Sequence, residues 1–113
     1  MSYKTYLYEP LLGKDEKKFV HDCLKSNWIS SKGKYISKFE KEFSKFINIR
    51  YSLSVSNGTA ALHLALLALN LKKSDEIIVP TFTYISPVNA IKYINSKVKF
   101  LDSNLDTWQI DIN

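Results

Sequence analysis

Apolar residues recur at helical spacing through the first half of the chain. From Lys14 to Lys25 they fall at Phe19, Val20, Cys23 and Leu24, which predicts a helix with one apolar face. Asp15 and Glu16 at its start and Lys25 at its end suit the helix dipole. The segment SNWISSKGK, residues 26 to 34, reads as a loop. From Tyr35 to Ile47 the apolar positions are Tyr35, Ile36, Phe39, Phe43, Phe46 and Ile47, a second amphipathic helix with a basic outer face.

The pattern then shortens. Tyr51 to Val55 alternates weakly and predicts a strand. Ser56-Asn57-Gly58 is turn chemistry. Thr59 to Leu69 is rich in Ala and Leu on nearly all sides, which predicts a buried helix. Glu76 to Val79 is a short apolar, β-branched run of the kind found in a fully buried parallel strand, and Pro80 ends it. Ser86 followed by Pro87 reads as an N-cap and first-turn proline, opening a helix to about Ile94. Val98 to Leu101 is a further strand, and Asn104 to Thr107 a turn. Strand, helix, strand, helix, strand from residue 51 onward implies an α/β fold: a parallel βαβαβ core preceded by two helices. The expected core is three strands between residues 51 and 101, with the helix at 59 to 69 packed across them.

Composition adds limits. The chain has 113 residues, 45% hydrophobic and 24% charged, which is ordinary for one modest globular domain. Its net charge of +5 resides in residues 14 to 50, which carry ten basic and five acidic side chains. Such a patch raises nucleic acid as a partner. Against that, the only arginine is Arg50, and the lysines are spaced along amphipathic helices, where a solvated face explains them. Cys23 is alone, so no internal disulfide forms. The segment MSYKTYLYEPLLG lacks an apolar signal-peptide core, and the longest apolar run, Ala60 to Leu69, contains His63 and is too short to span a bilayer. The expectation is a cytoplasmic protein with neither nucleic acid nor membrane as partner.

Candidate chemistry concentrates in SVSNGTAALHLALLAL, residues 54 to 69. A strand end, a turn at Asn57-Gly58 and a helix start at Thr59 make a phosphate cup. Gly58 can take backbone angles that other residues avoid, and it admits a ligand close to the backbone. The free N–H groups of a first helical turn favour a bound anion. A plain capped helix fits the same residues. The turn is neither a P-loop nor GxGxxG. In DEIIVPTFTYISPVNAI, residues 75 to 91, the loop Thr81-Phe82-Thr83-Tyr84 follows a strand. Parallel sheets bind ligands at that edge, and Phe82 or Tyr84 there can either stack on a flat ring or pack in the core.

These two stretches, in this order, resemble the DegT/DnrJ/StrS family of nucleotide-sugar aminotransferases. The resemblance is carried by Ser56-Asn57-Gly58-Thr59-Ala60-Ala61-Leu62-His63, by Asp75-Glu76 through Tyr84, by Asn89-Ala90 and by Val98 to Asp102. Asp106-Thr107-Trp108-Gln109-Ile110-Asp111 resembles the family's DTYNID turn. Glu9-Pro10-Leu11-Leu12-Gly13 and Asn27-Trp28-Ile29 with Gly33 match its opening.

The resemblance implies the N-terminal portion of the large domain of a fold-type-I pyridoxal-phosphate transferase, with residues 1–113 forming one partial domain. It implies pyridoxal 5'-phosphate as cofactor, a keto sugar on a nucleotide as substrate, an amino donor such as glutamate, and a homodimer for the full-length protein. By matching position, Gly58, Thr59 and Ala60 hold the cofactor phosphate and Tyr84 lies against its ring. Trp28, Ile29, Ser30 and Ser31 border the sugar nucleotide. His63 matches a family position but reads as structural. The family's Schiff-base lysine, in a Ser-Phe-x-x-Lys setting, and its acidic partner of the pyridine nitrogen have no counterpart in this sequence. The chain therefore reads as an N-terminal fragment that carries no catalytic residue and is inactive alone. A non-enzymatic α/β module that binds phosphate or a partner is the alternative.

Overall fold

The computed structural model describes residues 8 to 112. They fall into two compact units divided between Ser54 and Val55.

The first unit holds helices α1 (Lys14–Lys25) and α2 (Lys34–Phe46), close to the ranges the apolar spacing predicts. The carboxylate of Glu16 reaches back to accept from the Gly13 N–H at 2.7 Å, satisfying one of the donors left open at a helix start. The Tyr35 hydroxyl donates to Asp22 at 2.8 Å, and Lys34 pairs with the same carboxylate. The rings of Phe19 and Tyr35 lie 5.1 Å apart. Side chains at the start of α2 thus tie it to the middle of α1, although neither helix contains a buried residue.

Residues 51 to 55 do not form the predicted strand. A strand exists only where a neighbour completes its ladder, and this segment is held by α2 instead. The Ser52 hydroxyl donates to the Glu40 carbonyl at 2.6 Å and accepts from Ser44 at 2.9 Å. The Glu40 carboxylate accepts from both the N–H and the hydroxyl of Ser54, each at 2.9 Å.

The second unit contains α3 (Gly58–Ala68), β1 (Glu76–Pro80), α4 (Ile85–Tyr93) and β2 (Lys97–Leu101). The strands are parallel, in register from Glu76 opposite Lys97 to Pro80 opposite Leu101. The α/β class is as predicted, but the sheet among the described residues has two strands, not three. Helix α4 packs on both strands, and its Ala90 and Ile91 bury with Val79 as the core. Beyond β2 the chain folds back, with Asn104 accepting from the N–H groups of Asp106 and Thr107, both at 3.0 Å, as the predicted turn requires.

Three further expectations change. Helix α3 is not buried: it packs on α4 rather than across the sheet, and none of its residues is fully covered. An all-apolar helix needs partners on every side, and within this unit it has α4 on one. Strand β1 is likewise not enclosed: Val79 is buried, but Ile78 on the opposite face is 54% exposed. Ser86 does not cap α4. Tyr84 holds the cap position, which puts Ser86 second and Pro87 third in the helix. Proline is tolerated there because the first-turn N–H groups have no intrahelical acceptor.

Candidate functional site

The start of α3 is built by Asn57. Its backbone is extended, and its side-chain oxygen accepts from the Ala60 N–H at 2.9 Å, an N-cap that closes one of the open donors. The Ala61 N–H begins the helical ladder by donating to the Asn57 carbonyl at 3.1 Å. The N–H groups of Gly58 and Thr59 have no acceptor among the described residues. They sit at the positive end of the α3 dipole, so an anion placed there gains both hydrogen bonds and favourable electrostatics. Of the three residues the sequence selects, Gly58 and Thr59 offer backbone donors, while the Ala60 donor belongs to the cap.

Gly58 acts differently from the sequence expectation. No glycine of the described chain has a positive φ, so this position requires no backbone angle special to glycine. What glycine supplies is room: a Cβ at Gly58 would meet nothing within 4 Å. The space beside the Gly58 Cα, where a side chain would start, is open.

The Thr59 hydroxyl lies 2.5 Å from that of Ser86, joining the first turns of α3 and α4. The two helices enclose a groove of about 440 Å³, lined by Asn57, Thr59, Ala60 and His63 from one and Asn89 and Tyr93 from the other. The His63 ring meets Tyr93 edge to face at 5.3 Å. Tyr84, two residues before Ser86, is 69% exposed and meets no other ring among the described residues. Phe82 is engaged with Trp108 at 5.0 Å, which leaves Tyr84 as the free aromatic of that loop.

The loop of the first unit is locked by its own contacts. The Trp28 indole N–H donates to the Lys32 carbonyl at 2.9 Å, and the Ser30 hydroxyl accepts from the Lys32 N–H at 3.1 Å. A Cβ on Gly33 would lie 3.2 Å from the Trp28 ring and 3.3 Å from the Ser30 carbonyl, a tight fit that the two neighbours would have to relax to accept. Trp28, Ile29 and Ser30 line a mainly apolar pocket of about 200 Å³ with Cys23, Tyr35 and Ile36; Ser31 lies outside it.

Charge effects lie apart from the groove. Lys34, and then Tyr35, hold the Asp22 carboxyl below its ordinary range; the same contact raises Lys34 and Tyr35. The two bonds from Ser54 lower Glu40. Among the described residues no group of three His, Cys, Asp or Glu side chains is placed to hold a metal, and no helix is long and apolar enough to cross a membrane.

The sequence predicts neither Asn89 and Tyr93 as groove residues nor Ser86 as the partner of Thr59. Ser86 reads locally as a helix cap, and nothing in the sequence announces a bond to a residue 27 positions away.

Comparison with known proteins agrees with this architecture. The chain is 53% identical to the GDP-perosamine synthase of Escherichia coli O157:H7, over 95% of its own length and 29% of that protein. It is 44% identical to the GDP-perosamine synthase of Vibrio cholerae, over 94% of its length and 29% of the relative. Among solved structures, the E. coli GDP-4-keto-6-deoxy-D-mannose-3-dehydratase with bound hydrated PLP superposes with a TM-score of 0.81 at 31% identity, covering 94% of this chain and 28% of that one. The chain thus spans under a third of the length of these proteins, at their N-terminal part. The model of the DegT/DnrJ/EryC1/StrS aminotransferase family matches residues 10–113, and the chain belongs to that family.

Proposed function

We propose that this chain forms the phosphate-holding end of a pyridoxal-phosphate-dependent aminotransferase that aminates a keto sugar carried on a nucleotide, with GDP-perosamine as the product type. The observation that carries this reading is the 53% identity to a GDP-perosamine synthase across 95% of the chain. A dehydratase shares the fold at 31% identity, so the fold leaves amino transfer and dehydration equally open. The higher identity favours amino transfer.

The residues fit the cofactor. Its phosphate needs donors and room: the Gly58 and Thr59 N–H groups have no acceptor among the described residues, and the Gly58 Cα carries no side chain and has open space beside it. Tyr84 presents a free ring at the neighbouring helix start, positioned to stack on a flat heterocycle. When bound, pyridoxal phosphate supplies an electron sink for the carbon that exchanges nitrogen. In this reading the chain's own residues bind and orient. Gly58 and Thr59 anchor the phosphate, Ala60 continues the helix whose dipole faces it, and Tyr84 limits the ring's tilt. Trp28, Ile29, Ser30 and Ser31 border the sugar nucleotide, with Trp28 fixed by its bond to Lys32. Glutamate is the proposed amino donor and a homodimer the proposed assembly. The 113 residues by themselves bind the cofactor without transferring an amino group, because they hold no lysine in the family's Schiff-base setting.

The test is titration of pyridoxal phosphate into the wild type and Gly58→Val. The valine side chain enters the open space beside the Gly58 backbone and crowds a ligand that approaches it closely, and the helical φ does not forbid it. The variant should keep its helix content and bind more weakly. Equal binding by both would remove the cup, and amino transfer by the lone chain would overturn its assigned inactivity.

A further inference from the structure

We propose that Ser86 is a positioning residue for the phosphate end of the groove, acting by fixing the hydroxyl of Thr59. This rests on Gly58 and Thr59 forming the phosphate cup.

A threonine hydroxyl carries one proton and can accept two hydrogen bonds. A threonine in a helix has two side-chain rotamers open to it. Left alone, Thr59 at the second position of α3 would divide its time between them. The Ser86 oxygen at 2.5 Å removes the choice by holding Thr59 Oγ1 against α4. Both residues are half-buried, so water competes poorly for the pair. The Ser86 hydroxyl has no other hydrogen-bond partner among the described residues, and α4 is anchored beneath it by the buried Ala90 and Ile91.

The direction of the bond follows from the ligand. Phosphate oxygens at neutral pH chiefly accept, so Thr59 must donate its only proton to them. Its oxygen then accepts from Ser86. The order Ser86 to Thr59 to phosphate leaves every proton used, and each bond polarises the next. Without an anion the pair holds together with the proton on either side. The hydroxyl is therefore in place before the ligand arrives, and the rotamer cost of binding is small.

The experiment uses the full 113-residue chain and titrates inorganic phosphate and pyridoxal phosphate while the Gly58 and Thr59 amide resonances are followed. Ser86→Ala should weaken both ligands roughly five- to tenfold, the size expected when a hydrogen bond to a charged group is impaired. Ser86→Thr, which restores the hydroxyl, should recover most of the affinity. In a Thr59→Val background Ser86→Ala should cost nothing further, a dependence that a general packing role for Ser86 would not produce. Unchanged affinity in Ser86→Ala, with the wild-type amides shifting as expected, overturns the role of Ser86 alone. So does an undiminished loss in the Thr59→Val background. Absence of any amide shift in the wild type overturns the cup itself, and Ser86 with it.

Discussion

Asn57 does two jobs at the start of α3. Its side chain caps the helix through the Ala60 N–H, and by taking that donor it leaves the N–H groups of Gly58 and Thr59 as the ones an incoming anion can use. Replacing it with alanine opens a donor and removes the cap, at a cost of about 1 kcal/mol to the helix. Asn57→Ala should speed amide exchange over the first turn of α3 and leave α4 protected. Equal protection of α3 in variant and wild type would show that the cap is idle. Trp108 is the residue-scale oddity: its φ of 61° lies in the left-handed region that large side chains avoid, while its N–H donates to the Asn104 carbonyl at 2.9 Å and its ring rests on Phe82. Those contacts offset the backbone cost.

At the scale of elements, all four helices among the described residues stop in the same way. Asn27, Asn48, Asn70 and Asn95 each take φ between 52° and 58° just past a helix end, and each donates its N–H back to a last-turn carbonyl. Asparagine is the residue besides glycine that adopts this conformation most readily, so four helix stops are written in single letters. The tether between α2 and residues 52 to 54 depends instead on charge. Ser54 holds the folded-state pKa of Glu40 below its unfolded value. A lowered carboxylate contributes stability that is fully present above the ordinary glutamate range and is lost as pH falls through the depressed folded value. Acidification through that window should release the Ser54 amide to exchange before α2 itself melts. Glu40→Gln, which does not titrate, should remove the pH dependence; a persistent acid transition at Ser54 in that variant would assign it to another group.

The whole molecule carries more apolar surface than its own elements cover. Among the described residues the buried ones are Val79, Ala90, Ile91 and Ser96, while Phe46, Leu105 and Ile112 are each more than 80% exposed. Extended apolar surface of this kind drives association or marks an interface. Each strand of the two-stranded sheet also leaves an edge unpaired among the described residues. The isolated chain should therefore self-associate at micromolar concentration and bind a hydrophobic dye. Sedimentation as a single monomeric species with a sharp, cooperative melt would show that these faces are tolerated in water.

Local chemistry alone determined a good part of this protein. Helical periodicity located α1 and α2 to within a residue, the Ser86-Pro87 pair located α4 to within two although Ser86 is not its cap, the β-branched run located β1, and Asn57-Gly58-Thr59 marked the start of α3, which Asn57 caps. These features depend on neighbours in the chain, so the sequence contains them directly. Partnership between distant segments was decided only in three dimensions. Residues 51 to 55 alternate like a strand, yet they bond to Glu40 and Ser44, because a ladder requires a neighbour that periodicity cannot supply. The apolar sequence of α3 called for burial, but burial depends on what surrounds a helix, and here that is α4 on one side. Ser86 reads locally as a cap, while its hydroxyl meets Thr59 across the α3–α4 contact, because packing brings together side chains 27 residues apart.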